Sequence, residues 1–205
     1  MPRLTRSFFD RPVLEVAPEL LGVRLHHEID GVVLEGAIVE VEAYLGDGSD
    51  PASHAHGGRT ARNASMFGPP AHFYVYRSMG IHTCINVVCE ASGRAAGVLI
   101  RAIEPLRGIQ EMARHRGGRT GHEIGSGPGK LTQALGIALE QDGVSALRGS
   151  LRLAPPAAAP GPIRVSPRIG ISKARELPYR FFVQGSPHVS RSPLNARGRA
   201  IIPHG

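Results

Sequence analysis

Glu40 and Glu42 stand two residues apart in VEVEAYLG, and Tyr44 follows at the same spacing. Alternate residues of a strand share a face, about 6.6 Å apart, so two carboxylates and a phenol line one side. Ile38 is expected on that side too, with Val39, Val41 and Ala43 on the other. Two glutamates on a strand ordinarily form a solvated outer face. Here their neighbours are apolar and a long polar loop follows, carrying His54, His56 and Arg59. A carboxylate ending an apolar strand can be tuned by desolvation to act as an acid or base. HFYVYRSMG repeats the geometry, with His72, Tyr74 and Tyr76 at alternate positions. An aromatic pair is ordinarily structural. In a chain with 5% aromatics and no Trp, two tyrosines beside charged residues also suit a platform on which a planar base stacks. Carboxylates, tyrosines and a basic surface together suggest an enzyme that draws a nucleobase out of its stack and holds it between rings.

The balance of charge agrees. Lys and Arg number 24 against 17 Asp and Glu, a formal net charge of +7, and the pI is near 10.2. A polyanion is the expected partner, nucleic acid before an anionic membrane surface. Arg outnumbers Lys, which favours forked phosphate contacts. With 205 residues and 41% apolar composition, the chain suits one domain that needs no disulfide or metal staple. Cys84 and Cys89, five apart on a strand, point to opposite faces and form neither a disulfide framework nor a zinc site. A reduced, cytoplasmic compartment follows. The N-terminus MPRLTRSFF has no apolar signal region, and no apolar run approaches the ~18 residues of a membrane span.

These side chains need elements to position them. Asp10 is expected to cap a helix from Pro12 to Leu21, stopped by Gly22. Val23–Ile29 and Val32–Leu45 read as a hairpin across Asp30-Gly31. The polar, Gly-rich segment 46–68 is longer than most loops, and such loops are often functional. Ala71–Tyr76, Ile81–Val88 and Ala96–Ile103 read as further strands, the first two broken by Ser78-Met79-Gly80. Pro105 is expected to open a helix that ends before Gly117, with Leu106, Ile109 and Met112 at helical spacing. A short helix from Pro128 to Leu135 ends at Gly136. APPAAAPGP, residues 154–162, is a surface connection, followed by short strands at Ile163–Val165 and Arg180–Val183. Strands mostly follow strands, so the fold class is α+β: a single domain with a curved, mainly antiparallel sheet surrounded by helices. The domain is expected over 1–192, with 193–205 a basic, flexible tail.

Beyond spacing, VEVEAYLG, SHAHGGRTARNASMFGPP, FYVYRSMGIHTCINVV, GVLIRAIEPL, GSGPGKLTQALGI and PRIGISKARELPYRFFVQGSPHVS resemble, in order from about Arg6 to Ser190, the 3-methyladenine (alkyladenine, or methylpurine) DNA glycosylases. The resemblance implies a monomer that flips a damaged purine out of duplex DNA and hydrolyses its N-glycosidic bond without a cofactor, leaving an abasic site. It implies a cytoplasmic enzyme, associated with the nucleoid if the source is bacterial. Glu42 matches the general base and Arg101 an arginine that helps position the water. Tyr44, His54 and Tyr76 match residues that hold the base. Asn86 matches an asparagine on the pocket floor that helps reject guanine. Arg59 and Arg62, in the GGRT-x-RN loop, are candidates to contact phosphates, and Ser186 matches a residue near the DNA backbone. The wedge that fills the vacated space is a tyrosine in mammalian members. Here the position is Met79, which is apolar and able to intercalate. No lysine stands in the pocket motifs to attack C1′, so strand cleavage through a Schiff base is not expected.

Other signals are weaker. GSGPGKLT lacks the spacing of a phosphate loop, having Ile124 and Leu131 where Gly and Ser/Thr are required; its glycine-rich helix start with Lys130 could still touch a DNA phosphate. His54 and His56, with Asp50, invite a metal reading, but H-x-H on a loop lacks a convincing third ligand nearby, and no metal is expected. His26, His27, His115 and His122 read as surface residues. Two alternatives remain: a DNA-binding module without chemistry, which would not need Glu42, and a glycoside hydrolase using Glu40 and Glu42. Carboxylates on one strand face do not easily flank a sugar ring from opposite sides. The role of Glu40 stays open.

Overall fold

The computed structural model describes residues 4–201. Nine strands form one open sheet in which every named pairing is antiparallel, with short helices around it. The architecture is α+β in a single domain, as the succession of strand patterns implies.

Thr5 caps the first helix, α1 (Arg6–Phe9), its hydroxyl accepting the Phe8 N–H; α2 (Val13–Glu19) starts at Pro12 without a side-chain cap. Asp10 therefore caps neither N-terminus; it is the C-terminal cap of α1. β1 (Arg24–Ile29) and β2 (Val32–Tyr44) form the expected hairpin, and Asp30 and Gly31 both take positive φ, the twist a two-residue turn requires. β2 is the centre of the sheet. One of its edges pairs with β5 (Ala96–Arg107) from Glu35 to Tyr44. The other pairs first with β1, then with β8 (Arg180–Val183) at Glu40–Glu42. β3 (Phe73–Ser78) and β4 (His82–Cys89) extend the β5 side. β7 (Ile163–Ser166) extends the β8 side, and β6 (Leu151–Ala154), absent from the sequence reading, pairs with β1.

Pro105 lies inside β5 rather than at a helix start. A register shift between Glu35 and Gly36 opposite it accommodates a residue that cannot donate to the ladder. The helix α3 (Ile109–His115) begins after Gly108, whose φ of +70° breaks the strand. α4 (Pro128–Ala134) ends before Gly136 as expected. Part of the presumed tail is built onto the sheet: α5 (Leu194–Arg197) is followed by β9 (Arg199–Ala200), which pairs with β7. Residues 202–205 of that tail lie outside the described residues. Among the described residues, no helix is long and apolar enough to cross a membrane.

The sheet has one core face and one working face. Val41, Ala43, Phe73, Val75, Ile85, Val87, Val98 and Ile100 join Phe9, Leu20 and Leu131 in the main core. Their strand neighbours Glu42, Tyr44, Tyr74, Tyr76, Cys84, Asn86, Leu99 and Arg101 face the other way. Alternation fails at one place. Register shifts between Ile38 and Glu40, and between Glu40 and Val41, leave Val39 an extra residue on β2 and Arg101 an extra residue on β5. Ile38 consequently packs in the main core, while Val39 joins Ala102, Phe182 and Val189 in a small cluster. This reverses the faces expected for Ile38 and Val39, because a bulge breaks the period of two.

Candidate active site

The bulge turns Arg101 toward both glutamates. Its Nε donates to Glu40 Oε1 at 3.1 Å and its Nη1 to Glu42 Oε2 at 3.2 Å. Both carboxylates are fully buried, so each charge requires partners. Glu42 Oε2 also accepts the Tyr44 hydroxyl at 2.9 Å, and Oε1 accepts the Ile169 N–H at 2.8 Å. Glu40 is held by Arg180 Nε at 2.6 Å and by the Ser190 N–H at 2.8 Å. Burial pushes the Glu40 carboxyl up, but Arg101, Arg180 and the Ser190 N–H outweigh it and hold the group below the usual carboxylate range. Burial likewise opposes the charge on Arg101, and the two glutamates overcome it.

In front of Glu42 is a cavity of about 270 Å³ whose lining includes Tyr44, His54, Tyr76, Asn86, Leu99, Arg101 and Ile169. Six residues singled out in the sequence, Tyr44, His54, Tyr74, Tyr76, Asn86 and Arg101, thus meet at one cavity, and Glu42 is hydrogen-bonded to three of its lining residues, Tyr44, Arg101 and Ile169. Tyr74 and Tyr76 stack with centroids 5.1 Å apart, and the His54 ring meets Tyr76 edge-on at 4.5 Å. His54 Nδ1 lies 3.1 Å from the Tyr74 hydroxyl. Burial, then the charge of Arg62, lowers the His54 pKa, so its ring is neutral near pH 7. Burial pushes the Tyr74 phenol up to about 12 and, with Glu42, raises Tyr44 well above its ordinary value; both stay protonated donors. Asn86 donates from Nδ2 to the Tyr74 carbonyl at 3.1 Å.

The remaining sequence candidates are dispersed. The Arg62 guanidinium sits 5.7 Å from the Tyr76 ring centroid and donates to the Arg77 carbonyl at 3.0 Å. Arg59 is exposed on the loop. Met79 is at the tip of the β3–β4 turn, 88% exposed, and Ile81 beside it is 70% exposed. Ser186 lies with Phe182, Val189 and Asn195 in a separate recess, its hydroxyl accepting the His188 N–H.

Several positioning groups escaped the sequence reading. Arg168 forms a two-pronged ion pair with Asp50, Nη1–Oδ2 2.6 Å and Nη2–Oδ1 2.8 Å, both side chains being fully buried. Asp50 also accepts the Leu45 and Ala52 N–H groups. Asn63 fixes the loop that carries His54: its Nδ2 donates to the His54 and Gly58 carbonyls at 2.9 and 3.0 Å, and its Oδ1 accepts the Thr60 N–H. Arg168 and Asp50 are 118 residues apart, and no local pattern announces such a pair. His26 and His27 are buried rather than superficial. His26 faces Glu35, and His27 Nδ1 lies 2.8 Å from the Leu135 carbonyl. His56 turns to the Gly48 carbonyl, and among the described residues no three His, Cys, Asp or Glu side chains are grouped to hold a metal ion.

A second recess, lined by His122, Lys130, Ser190 and Arg191, shares Arg101 and Ile169 with the cavity. It puts several cationic side chains beside the Glu42 network.

Comparison with known proteins gives a consistent result. The family model described as methylpurine-DNA glycosylase matches residues 7–187. A relative from Rhodopseudomonas palustris (strain BisB18), provisionally named a 3-methyladenine DNA glycosylase, is 52% identical over 93% of this chain and 92% of its own. Relatives with the same provisional name come from Chlorobaculum parvum, 49% identical over 96% of this chain and 94% of its own, and from Methanoculleus marisnigri, 46% identical over 92% and 98%.

Proposed function

Because this chain belongs to the methylpurine-DNA glycosylase family, and is thereby a DNA-repair hydrolase of N-glycosyl bonds, we propose that it flips 3-methyladenine and related alkylated or deaminated purines out of duplex DNA and releases them with a water activated by Glu42. The observation that carries this reading is the meeting of a fully buried glutamate with Tyr44, Arg101 and an aromatic-walled cavity. A carboxylate offers about four acceptor sites. Glu42 has three filled, by Ile169, Tyr44 and Arg101, which leaves one for a water. As the bond to the base breaks, positive charge develops on the sugar, and the carboxylate stabilises it while taking the proton of the attacking water. Tyr44 on one side, with Tyr76 and His54 on the other, hold the flipped base. Asn86 presents its amide at the floor, where the extra amine of guanine would collide.

Met79 is the wedge that occupies the vacated stack. Arg59, Arg62 and Ser186, with Lys130 and Arg191 of the neighbouring recess, serve the phosphates. No lysine is among the cavity's lining residues, so the product is an intact abasic site. The enzyme acts as a monomer on one lesion. The deciding assay is abasic-site formation on duplexes carrying 3-methyladenine, 7-methylguanine, hypoxanthine or ethenoadenine, with wild type and Glu42→Gln. Release by wild type and its loss, at least ~10³-fold, in a variant that still binds DNA is expected. A Gln variant that releases bases at the wild-type rate removes Glu42 from the chemistry.

A further inference from the structure

Tyr44 lines the cavity, and its ring is covered by Arg168, whose guanidinium carbon is 4.6 Å from the ring centroid. Arg168 is absent from the cavity lining, its side chain is fully buried, and its Nε has no hydrogen-bond partner among the described residues. Asp50 holds it in place and Tyr179 covers it further, 5.3 Å away. A desolvated cation is thus fixed against the ring.

We propose that Arg168 is a positioning residue acting through Tyr44: its charge helps the purine leave and disfavours purines that are already cationic. The proposal rests on the reading that Tyr44 stacks on the flipped base. During cleavage the C1′–N bond breaks and its electron pair moves onto the base. The water oxygen bonds to C1′ and its proton passes to Glu42. The charge on the base falls by one unit whether the base starts neutral or cationic. A fixed cation therefore favours the bond-breaking step equally for both. Binding differs. A cationic base loses part of the cation–π attraction that the ring would otherwise offer, because another cation already occupies the far face. A base stacked about 3.5 Å in front of the ring lies roughly 8 Å from the guanidinium. A lone charge at that distance in an effective dielectric near 20 changes a rate or affinity about thirtyfold. Asp50 offsets part of it, so roughly three- to tenfold is expected.

Two variants pull in opposite directions. Asp50→Asn leaves the charge uncompensated; Arg168→Met combined with Asp50→Asn removes it. The readout is single-turnover excision as a function of enzyme concentration, on duplexes with neutral hypoxanthine and with cationic 7-methylguanine. In the double variant the maximal rate falls by a similar factor on both lesions, roughly three- to tenfold, and half-saturation shifts in favour of 7-methylguanine. In Asp50→Asn that relative affinity shifts the other way. General damage to the fold would not give opposite signs. A lesion preference that stays constant in a variant that melts cooperatively overturns the proposal, and should the double variant fail to fold, Asp50→Asn alone decides the sign. Failure of wild type to excise either lesion would instead overturn the glycosylase reading.

Discussion

Glu40 and Glu42 share a strand face and a guanidinium, yet their surroundings separate them. Glu40 accepts from two arginines and a backbone N–H deep in the protein, which makes it an anchor for Arg101. Glu42 accepts instead from Tyr44, Arg101 and the Ile169 N–H, three residues that line the cavity. Met79 is the other residue whose setting suggests a purpose. It takes φ +50° at an exposed turn where its side chain buries little. A non-glycine residue in the left-handed region is locally strained, and such strain concentrates at functional positions. Met79→Ala is expected to leave stability within about 0.5 kcal/mol. It should slow excision from duplex DNA severalfold; an unchanged single-turnover rate would end the wedge assignment.

Among the elements, the hairpins, the glycine stops and the alternation of β3, β4 and much of β2 were legible, because period and turn chemistry act over a few residues. The bulge at Val39 and Arg101 was not. It depends on the register between β2 and β5, whose partners lie about 60 residues apart. Pro105 was misread for a similar reason: a proline suits a helix start, and only the irregular pairing opposite Gly36 lets a strand continue through it. The segment 46–68 reads as a long, polar, Gly-rich loop, but its composition does not show that Asn63, almost fully buried, ties it together. Asn63→Ala removes three side-chain hydrogen bonds to the loop backbone, at a cost of about 1–3 kcal/mol. The expected signature is faster hydrogen exchange across this loop with weaker lesion binding, since His54 is carried on it. An unchanged exchange pattern would show that the loop is held otherwise.

The whole molecule carries a formal net charge of +7. Binding to DNA is expected to weaken steeply with salt, with log K against log [salt] falling by about 0.9 for each phosphate neutralised. A flat dependence measured by fluorescence anisotropy would contradict a DNA interface. Acid should destabilise the fold in two windows. Burial lowers the pKa of His27, His54 and His188 from the ordinary 6.5. The unfolded chain therefore binds protons first, and stability falls as pH drops below about 6.5. Glu40, lowered from 4.5, adds stability that is present above its unfolded pKa and lost as pH falls through the folded value. The melting temperature is expected to decline from pH 7 to 5 and again below about 4.5, with His27→Gln flattening the first decline. A melting temperature constant between pH 7 and 5 would contradict the histidine contribution.

By itself the sequence determined most of the strands, the faces of Tyr44, Tyr74 and Tyr76, the charge that seeks a polyanion, and the motifs that mark the family. Each of these is written in residue types and short spacings. Only the tertiary structure decided that Glu42 accepts hydrogen bonds from Tyr44, Arg101 and Ile169 of the cavity's lining, that Arg101 reaches both glutamates, and that Arg168 covers the Tyr44 ring while paired to Asp50. Those outcomes depend on a bulge and on ion pairs between distant segments, and a buried charge is stable only where the completed fold brings its partner within hydrogen-bond reach.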